Sequence, residues 1–351
     1  MSWRRLAITL IALLTAVVSL TGVASLAYAA PQATFGPPME GTKVTLADTS
    51  IDGPALMRTY SPATVIAWTG RDAAHHLNLM TSSDGLQYGN KITLPETSLW
   101  RPAIAFIDTG RGAPYYTILL AWTGTDKAHT LNLEFIQMPG YKVTQKITFW
   151  GETSFTAPAL ASVNHDVNSD VYLAWAGDDS AHTLNVIRLL SYPLTQTKYT
   201  LWGWSSISRP NLSTDQSDGS DREAILSWTG TNNRIYFAAT TDKVNWTMPS
   251  TSPLTVKSAW APSMIGFYAT ALPTHWLAWT GDGTTSVKSI NVRYTQNYPS
   301  WSDTNAQTTL AETAMSSPEL AYNGDGSTTT LLIAWAGTDT NHHLNVAKLS
   351  A

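Results

Sequence analysis

Four aspartates and four histidines recur at fixed distances from tryptophan. Asp72, Asp126, Asp179 and Asp339 each stand four residues after a Trp, and His75, His129, His182 and His342 follow three residues later. Such a set offers two chemistries. One is structural: Asp bonds the backbone amides of a turn, while a Trp beside apolar neighbours packs as core. The other is recognition of a polyhydroxyl ligand, whose CH-rich faces stack on aromatic rings and whose hydroxyls bond carboxylate, amide and cationic groups. The fourth copy carries Asn232 in place of Asp, and the fifth has Asp282 one position early. Counted from the strand residues Asn78, Asn132, Asn185, Asn291 and Asn345, the His position is Lys288 in the fifth copy. With Phe237 taken as the fourth Asn equivalent, it is Arg234 there.

Other chemistries have less to stand on. The adjacent pairs His75-His76 and His342-His343 point to opposite faces of a strand, and no metal-ligand spacing accompanies them. Asp215-x-x-Asp218-Gly-Ser-Asp221 lacks the full calcium-loop pattern and its terminal Glu, and reads as a solvated loop. No phosphate-binding Gly loop, Gly-x-Ser-x-Gly or Cys nucleophile occurs, and no metal or cofactor is expected. Asn211-Leu-Ser and Asn245-Trp-Thr match the glycosylation pattern, which is common by chance. Glycoside hydrolysis needs two specialised carboxyls, or a Tyr nucleophile, at one centre. Glu96, Glu152 and Glu312 instead recur with the repeat. A single centre would show where the pattern breaks, at Trp100, Arg101, Trp204, Arg209 and Trp260. No catalytic residue is assigned.

The elements that position these groups repeat six times. The phrase Ile/Leu-Ala/Ser-Trp-Thr/Ala-Gly places Trp at 68, 122, 175, 228, 279 and 335, a period of 51 to 56 residues. A β-rich unit of that length stacks on its neighbours. Each Trp follows a proline landmark (Pro54, Pro102, Pro158, Pro210, Pro262, Pro318) suited to a strand's first residue. Four antiparallel strands follow per unit, a to d: Pro-x-Leu, Leu-Ala-Trp, Leu-Asn-Val and Lys-x-Thr-Leu. This predicts an all-β, six-bladed β-propeller. The sixth unit ends after strand c, while Lys43-Val-Thr-Leu46 is a strand d without a, b or c, so the N-terminal strand closes the ring. The b–c turns and d-to-a connections then share one face, and the irregular a–b loops at 164–170 and 215–221 lie on the other.

Residues 1–29 read as a signal peptide: Arg4-Arg5, an apolar run from Leu6 to Leu26, and Ala27-Tyr28-Ala29. The alternative is an uncleaved anchor. Residues 30–42 are expected to form a linker and 43–351 the propeller. The expected location is secreted, with no membrane association after cleavage. Charged residues are 13%, net charge is −4 and no basic stripe is visible, which argues against nucleic acid. The chain has no Cys, hence no disulfide framework.

Ser82-Ser-Asp-Gly-Leu-Gln-Tyr88 and Thr240-Thr-Asp-Lys-Val-Asn-Trp246 resemble Asp-boxes of the sialidase superfamily. The resemblance implies that these are c–d turns remote from the active face, and that catalysis would use an arginine triad, a Tyr–Glu nucleophile pair and an acidic Asp. Arg101 beside Pro102 and Arg209 beside Pro210 match the start of such a set; a third Arg and the pair have no match. The repeats also resemble the propeller lectins, which bind sugars between blades. The sequence therefore supports a secreted, lectin-like propeller with repeated sites for a glycan or other small polar ligand. The binding candidates are Trp100, Arg101, Asp126, His129, Asp179, His182, Arg209, Asp339 and His342. A sialidase-like exo-glycosidase with one central site is the alternative.

Overall fold

The computed structural model describes residues 39–59, 63–108, 110–111, 115–163, 170–191, 194–216, 223–269, 272–281, 288–296, 298–301, 307–323 and 330–350. Asp282, Asp218, Asp221, the loop residues 164–169 and the segment 1–29 lie outside them. The described elements are all strands. Blade 1 is β2 (Ala55–Arg58), β3 (Thr64–Thr69), β4 (His76–Ser82) and β5 (Tyr88–Thr97). Blade 2 is β6 (Ala103–Asp108), β7 (Tyr116–Thr123), β8 (Thr130–Met138) and β9 (Lys142–Thr153). Blade 3 is β10 (Ala159–Val163), β11 (Asp170–Ala176), β12 (Thr183–Ser191) and β13 (Leu194–Ser205). In blade 4, β14 (Asn211–Gln216), β15 (Glu223–Thr229) and β16 (Ile235–Thr240) are followed by an outer segment held by the bridge Ala239↔Thr247. Blade 5 is β17 (Ser263–Ala269), β18 (Leu272–Thr280), β19 (Ser289–Thr295) and β20 (Gln307–Thr313).

Blade 6 closes the ring. Its strands β21 (Glu319–Asn323), β22 (Thr330–Ala336) and β23 (His343–Ser350) are completed by the N-terminal β1 (Met39–Thr49), with Val44 opposite Val346. The fold is a six-bladed β-propeller with that closure. β1 begins at Met39, inside the stretch that the sequence assigns to a linker.

The second strand of each blade is buried on both faces, as the pattern of β3, β7 and β11 shows. One face packs on the preceding blade and the other on the following blade, which is why these strands read as unbroken apolar runs rather than alternating ones. The clusters between blades each hold a repeated Trp: Trp122 joins blades 1 and 2, Trp175 blades 2 and 3, Trp228 blades 3 and 4, Trp279 blades 4 and 5, and Trp68 blades 6 and 1. All six repeated Trp are almost fully buried. The repeated Trp is core.

Outer strands stay in register through a side-chain tie. Thr93, Thr148, Thr200, Thr309 and Thr45 donate to the amide oxygens of Asn78, Asn132, Asn185, Asn291 and Asn345 at 2.7 to 2.9 Å. The Thr of Lys-x-Thr-Leu and the Asn of Leu-Asn-Val are thus two halves of one contact. In blade 4 the register sets Trp228 opposite Tyr236, so Tyr236 and not Phe237 takes the Asn place. The blade-4 turn is two residues shorter than those of blades 1, 2, 3 and 6, and its left-handed residue is Asn233 (φ 62°), the counterpart of His75, His129, His182 and His342 at φ 48° to 58°. The expected Arg234 is displaced by one.

Candidate functional site

The repeated turns use their own polar groups. Asp126 accepts from the amides of Ala128 and Thr130 and from the Thr130 hydroxyl, and Asp179 accepts identically from Ala181 and Thr183. In Asp72 and Asp339 the imidazoles of His76 and His343 take the hydroxyl's place at 2.7 and 2.8 Å. Partial burial works to raise the Asp126 carboxyl, but the bonds from Thr130 and Ala128 outweigh it and hold it below the usual carboxylate range. A Cβ on Gly124 would lie 2.6 Å from Asp126 Oδ2, so the Gly of the repeated phrase leaves room for that carboxylate. His129 packs edge-on against Trp100, with ring centres 5.1 Å apart, and His182 stacks on Phe155 at 3.8 Å. The histidines therefore brace the d-to-a connections.

The recurring glutamates join blades. Lys146 meets Glu96 at 2.7 Å, while Lys198–Glu152, Lys91–Asp48 and Lys43–Glu312 close at 2.5 Å. Each lysine also lies over its own blade's repeated Trp, 5.2 to 5.4 Å from the ring centre. Between blades 3 and 4 the pattern changes, and Trp204 stacks on Trp228 at 5.2 Å instead.

What is singular gathers at the axis. The six connections share a frame: Ser50, Ser98, Ser154, Ser206 and Ser258 (Ala314 in the sixth) bond back to the b–c turn of the blade they leave. The following amide then bonds the strand end of the next blade, as Phe155 does to Ala176. This frame turns the next residues toward the ring centre, where Ile51, Asp52, Leu99, Trp100, Phe155, Thr156, Ile207, Ser208, Arg209, Trp260, Met315, Ser316 and Ser317 line a mouth of about 290 Å³. Below it lies a narrow space of about 20 Å³ bounded by Arg101, Arg209, Asn211 and Glu319. At the opposite end the channel widens to an apolar cavity of about 110 Å³.

Two guanidinium groups share one carboxylate in that narrow space. Arg101 Nη2 lies 3.0 Å and Arg209 Nη2 2.9 Å from the same Glu319 Oε2, and Asn211 donates to Oε1 at 3.3 Å. The Arg101 amide donates to Asp52 Oδ2 at 3.2 Å. Burial, then the neighbouring Arg209, pushes the Arg101 guanidinium down to about 10, with Glu319 and Asp52 acting the other way. It stays charged at neutral pH. Four buried donors of the mouth and its floor have no hydrogen-bond partner among the described residues: Arg101 Nη1, Arg209 Nε, Trp260 Nε1 and Ser316 Oγ. Ser316 Oγ and Arg101 Nη1 converge, lying 2.9 and 3.6 Å from the place a Cβ on Gly53 would occupy.

Among the sequence candidates, the structure brings Trp100, Arg101 and Arg209 together at the axis. It sets His129 and His182 behind the connections and gives Asp126, Asp179 and Asp339 to their turns. His342 sits at its turn's left-handed position, its carbonyl bonded to the Ser50 amide. Glu319, Asn211, Asp52 and Ser316 were not among the candidates. A signal for them exists: after the proline landmark the residues are Ala55, Ala103, Ala159, Asn211, Ser263 and Glu319, a small-residue ring broken at two places. Asn211 is buried against Glu319, which removes it as a glycosylation acceptor. The c–d turns at Ser82–Tyr88 and Thr240–Trp246 lie at the other end of the strands. In both, one Asp gathers the turn, Asp84 from the amides of Leu86 and Gln87 and Asp242 from those of Val244 and Asn245.

Solved structures share this ring. A triple arginine-to-alanine variant of AofleA from Arthrobotrys oligospora matches with TM-score 0.61 at 9% identity, over 86% of this chain and 84% of that one. The fucose-specific lectin from Aleuria aurantia matches at 0.57 and 8% identity, over 87% and 97%. The shared fold is the six-bladed propeller. Trypanosoma rangeli sialidase has it too, at 0.56 and 10% identity, where the match covers 88% of this chain but 58% of the sialidase. The propeller's likeness to all three is one of fold. No protein-family model matches the sequence, and no curated protein does.

Proposed function

We propose that the propeller binds a glycan at the axial mouth, without turnover, and that the bound residue carries a carboxylate or similar acceptor-rich group. The observation that carries this reading is a set of four unpartnered buried donors, two on Arg101 and Arg209 at the floor of the mouth and two on Trp260 and Ser316 in its wall. Buried donors are nearly always bonded, and leaving one bare costs about 1–3 kcal/mol. A ligand with convergent acceptor oxygens supplies what they lack, and arginine pairs well with carboxylate. Above the floor, Trp100, Trp260 and Phe155 offer flat faces for the CH side of a sugar ring. The mouth's volume is near the lower end of small-ligand pockets, about 300–1,000 Å³. The fold shared with a fucose-specific lectin and a sialidase is consistent with a carbohydrate ligand.

Binding is favoured over hydrolysis because both axial carboxylates are committed. Glu319 is held by two arginines and Asn211, and Asp52 accepts from the amides of Gly53 and Arg101. Neither is placed as a free acid or base for glycoside cleavage. The same reading takes the chain to be exported, with cleavage after residue 29; the mass of the mature protein checks it. A glycan array tests the binding. Acidic glycans are expected to bind, and Arg209→Ala to abolish their signal. Release of fluorophore from a fluorogenic sialoside, lost in the same variant, would replace binding by catalysis.

A further inference from the structure

The outer strands of blades 2 and 3 share a device that blades 1, 5 and 6 lack. Three residues separate the buried leucine of the last strand from the connection's first Ser or Ala in those three blades: Leu94 to Ser98, Leu310 to Ala314 and Leu46 to Ser50. In blades 2 and 3 the count is four, Phe149 to Ser154 and Leu201 to Ser206. The extra residue enlarges a bulge that the outer strands of blades 1, 5 and 6 also carry at this place. Pairing jumps from Leu131↔Phe149 to Thr130↔Thr153, and from Leu184↔Leu201 to Thr183↔Ser205. Both bulges carry Trp-Gly, with Gly151 and Gly203 at φ 87° and 83°, a left-handed conformation that glycine adopts without strain. A Cβ on either glycine would meet nothing within 4 Å, so backbone conformation and not crowding requires Gly. The result is that Trp150 and Trp202 stand in water at 85% and 80% exposure, while no other large hydrophobic among the described residues exceeds 45%.

Three kinds of partner could cover these rings. Two tryptophans offer about 300–500 Å², well short of the roughly 800 Å² per partner that a stable dimer buries. Around them the strands carry the exposed Gln145 and Gln196, and Val143 is the one other exposed large hydrophobic on these two strands among the described residues. An anionic membrane would be drawn by a cluster of free lysines, but Lys146 and Lys198 on these strands are held by Glu96 and Glu152, which leaves Lys142 alone. Isolated aromatic plates among neutral hydrogen-bonding side chains match the CH faces and hydroxyl edges of a sugar polymer. We propose that Trp150 and Trp202 form a two-plate platform, on the outer edge of blades 2 and 3, for a neutral polysaccharide. It is separate from the axial mouth and does not depend on the mouth binding anything.

Retention on microcrystalline cellulose and on chitin powder tests this. The wild-type propeller is expected to be held by at least one powder. Trp150→Ala and Trp202→Ala should each lower the retained fraction about five-fold, and the double variant should bring it to the level of an inert protein. Phe at both positions should keep most of the retention, and Arg209→Ala should keep all of it. Exposed substitutions shift stability by no more than about 0.5 kcal/mol, so unchanged melting shows that the Trp150 and Trp202 variants are folded. Failure of the wild type to bind either powder, or undiminished binding by the double alanine variant, overturns the platform. So does a double variant whose only change is lost self-association or lost binding to phosphatidylserine vesicles.

Discussion

Asp126 and Asp179 sit where a ligand could meet them, yet their oxygens already accept three or more bonds within their own turns. Replacing either with Ala should lower stability by about 1–2 kcal/mol, in the range of a lost side-chain cap. Glycan affinity should not change; melting and array binding on the same samples check both halves. Glu134 is a different case, because no repeat partner exists for it. It is buried at the blade 1–2 boundary, and burial, then the Glu96 charge, pushes its carboxyl up to about 7, opposed by Lys146. A folded pKa above the unfolded value means that the folded state holds the extra proton. The associated stability is present below about 4.5 and lost as pH rises through about 7. Glu134→Gln should therefore raise the melting temperature by a few degrees at pH 8 and leave it nearly unchanged at pH 5.

At the scale of the strand, the Asn–Thr tie holds the outer edge of five blades, and blade 4 shows the consequence of losing it. Tyr236 stands in the Asn place, and the outer segment there is reduced to isolated bridges. Thr148→Val should cost about 1 kcal/mol and raise amide exchange along β9, with exchange in β7 unchanged. Much of this level was legible in the chain. Strand order, blade count and the Trp as core follow from apolar runs and turn residues that recur, because burial and turn geometry act locally. The pairing of Asn with Thr and of Lys with the preceding blade's acid was not legible. Within successive blades those contacts join residues roughly 15 and 50 positions apart, and across the closure about 300 and 270, and single-copy patterns do not say which polar residues meet. Blade 4 misled the register for the same reason, since its turn is two residues shorter and a count from Phe237 misses by one.

For the whole molecule, the decisive contact is β1 beside β23, which turns a row of blades into a ring. Removing residues 39–49 would expose the edge of β23 and uncover Trp335, over which Lys43 now lies. That truncation should melt far below the intact protein and associate through the open edge, as scanning calorimetry and light scattering would show. Closure also makes the axis a single place, to which six connections contribute different residues. The sequence pointed to Arg101, Arg209 and Trp100 there because they break a regular pattern. It did not point to Glu319 or Ser316, whose role depends on the ring bringing the sixth connection against the first, second and fourth. The proposed acceptor-seeking site is therefore single, one per chain at that axis. Titration calorimetry with a soluble acidic monosaccharide, N-acetylneuraminic acid or glucuronic acid, tests it most directly. A stoichiometry near one, abolished by Arg209→Ala and unaffected by Asp179→Ala, is the predicted result. Several equivalent sites per chain that survive Arg209→Ala would contradict it.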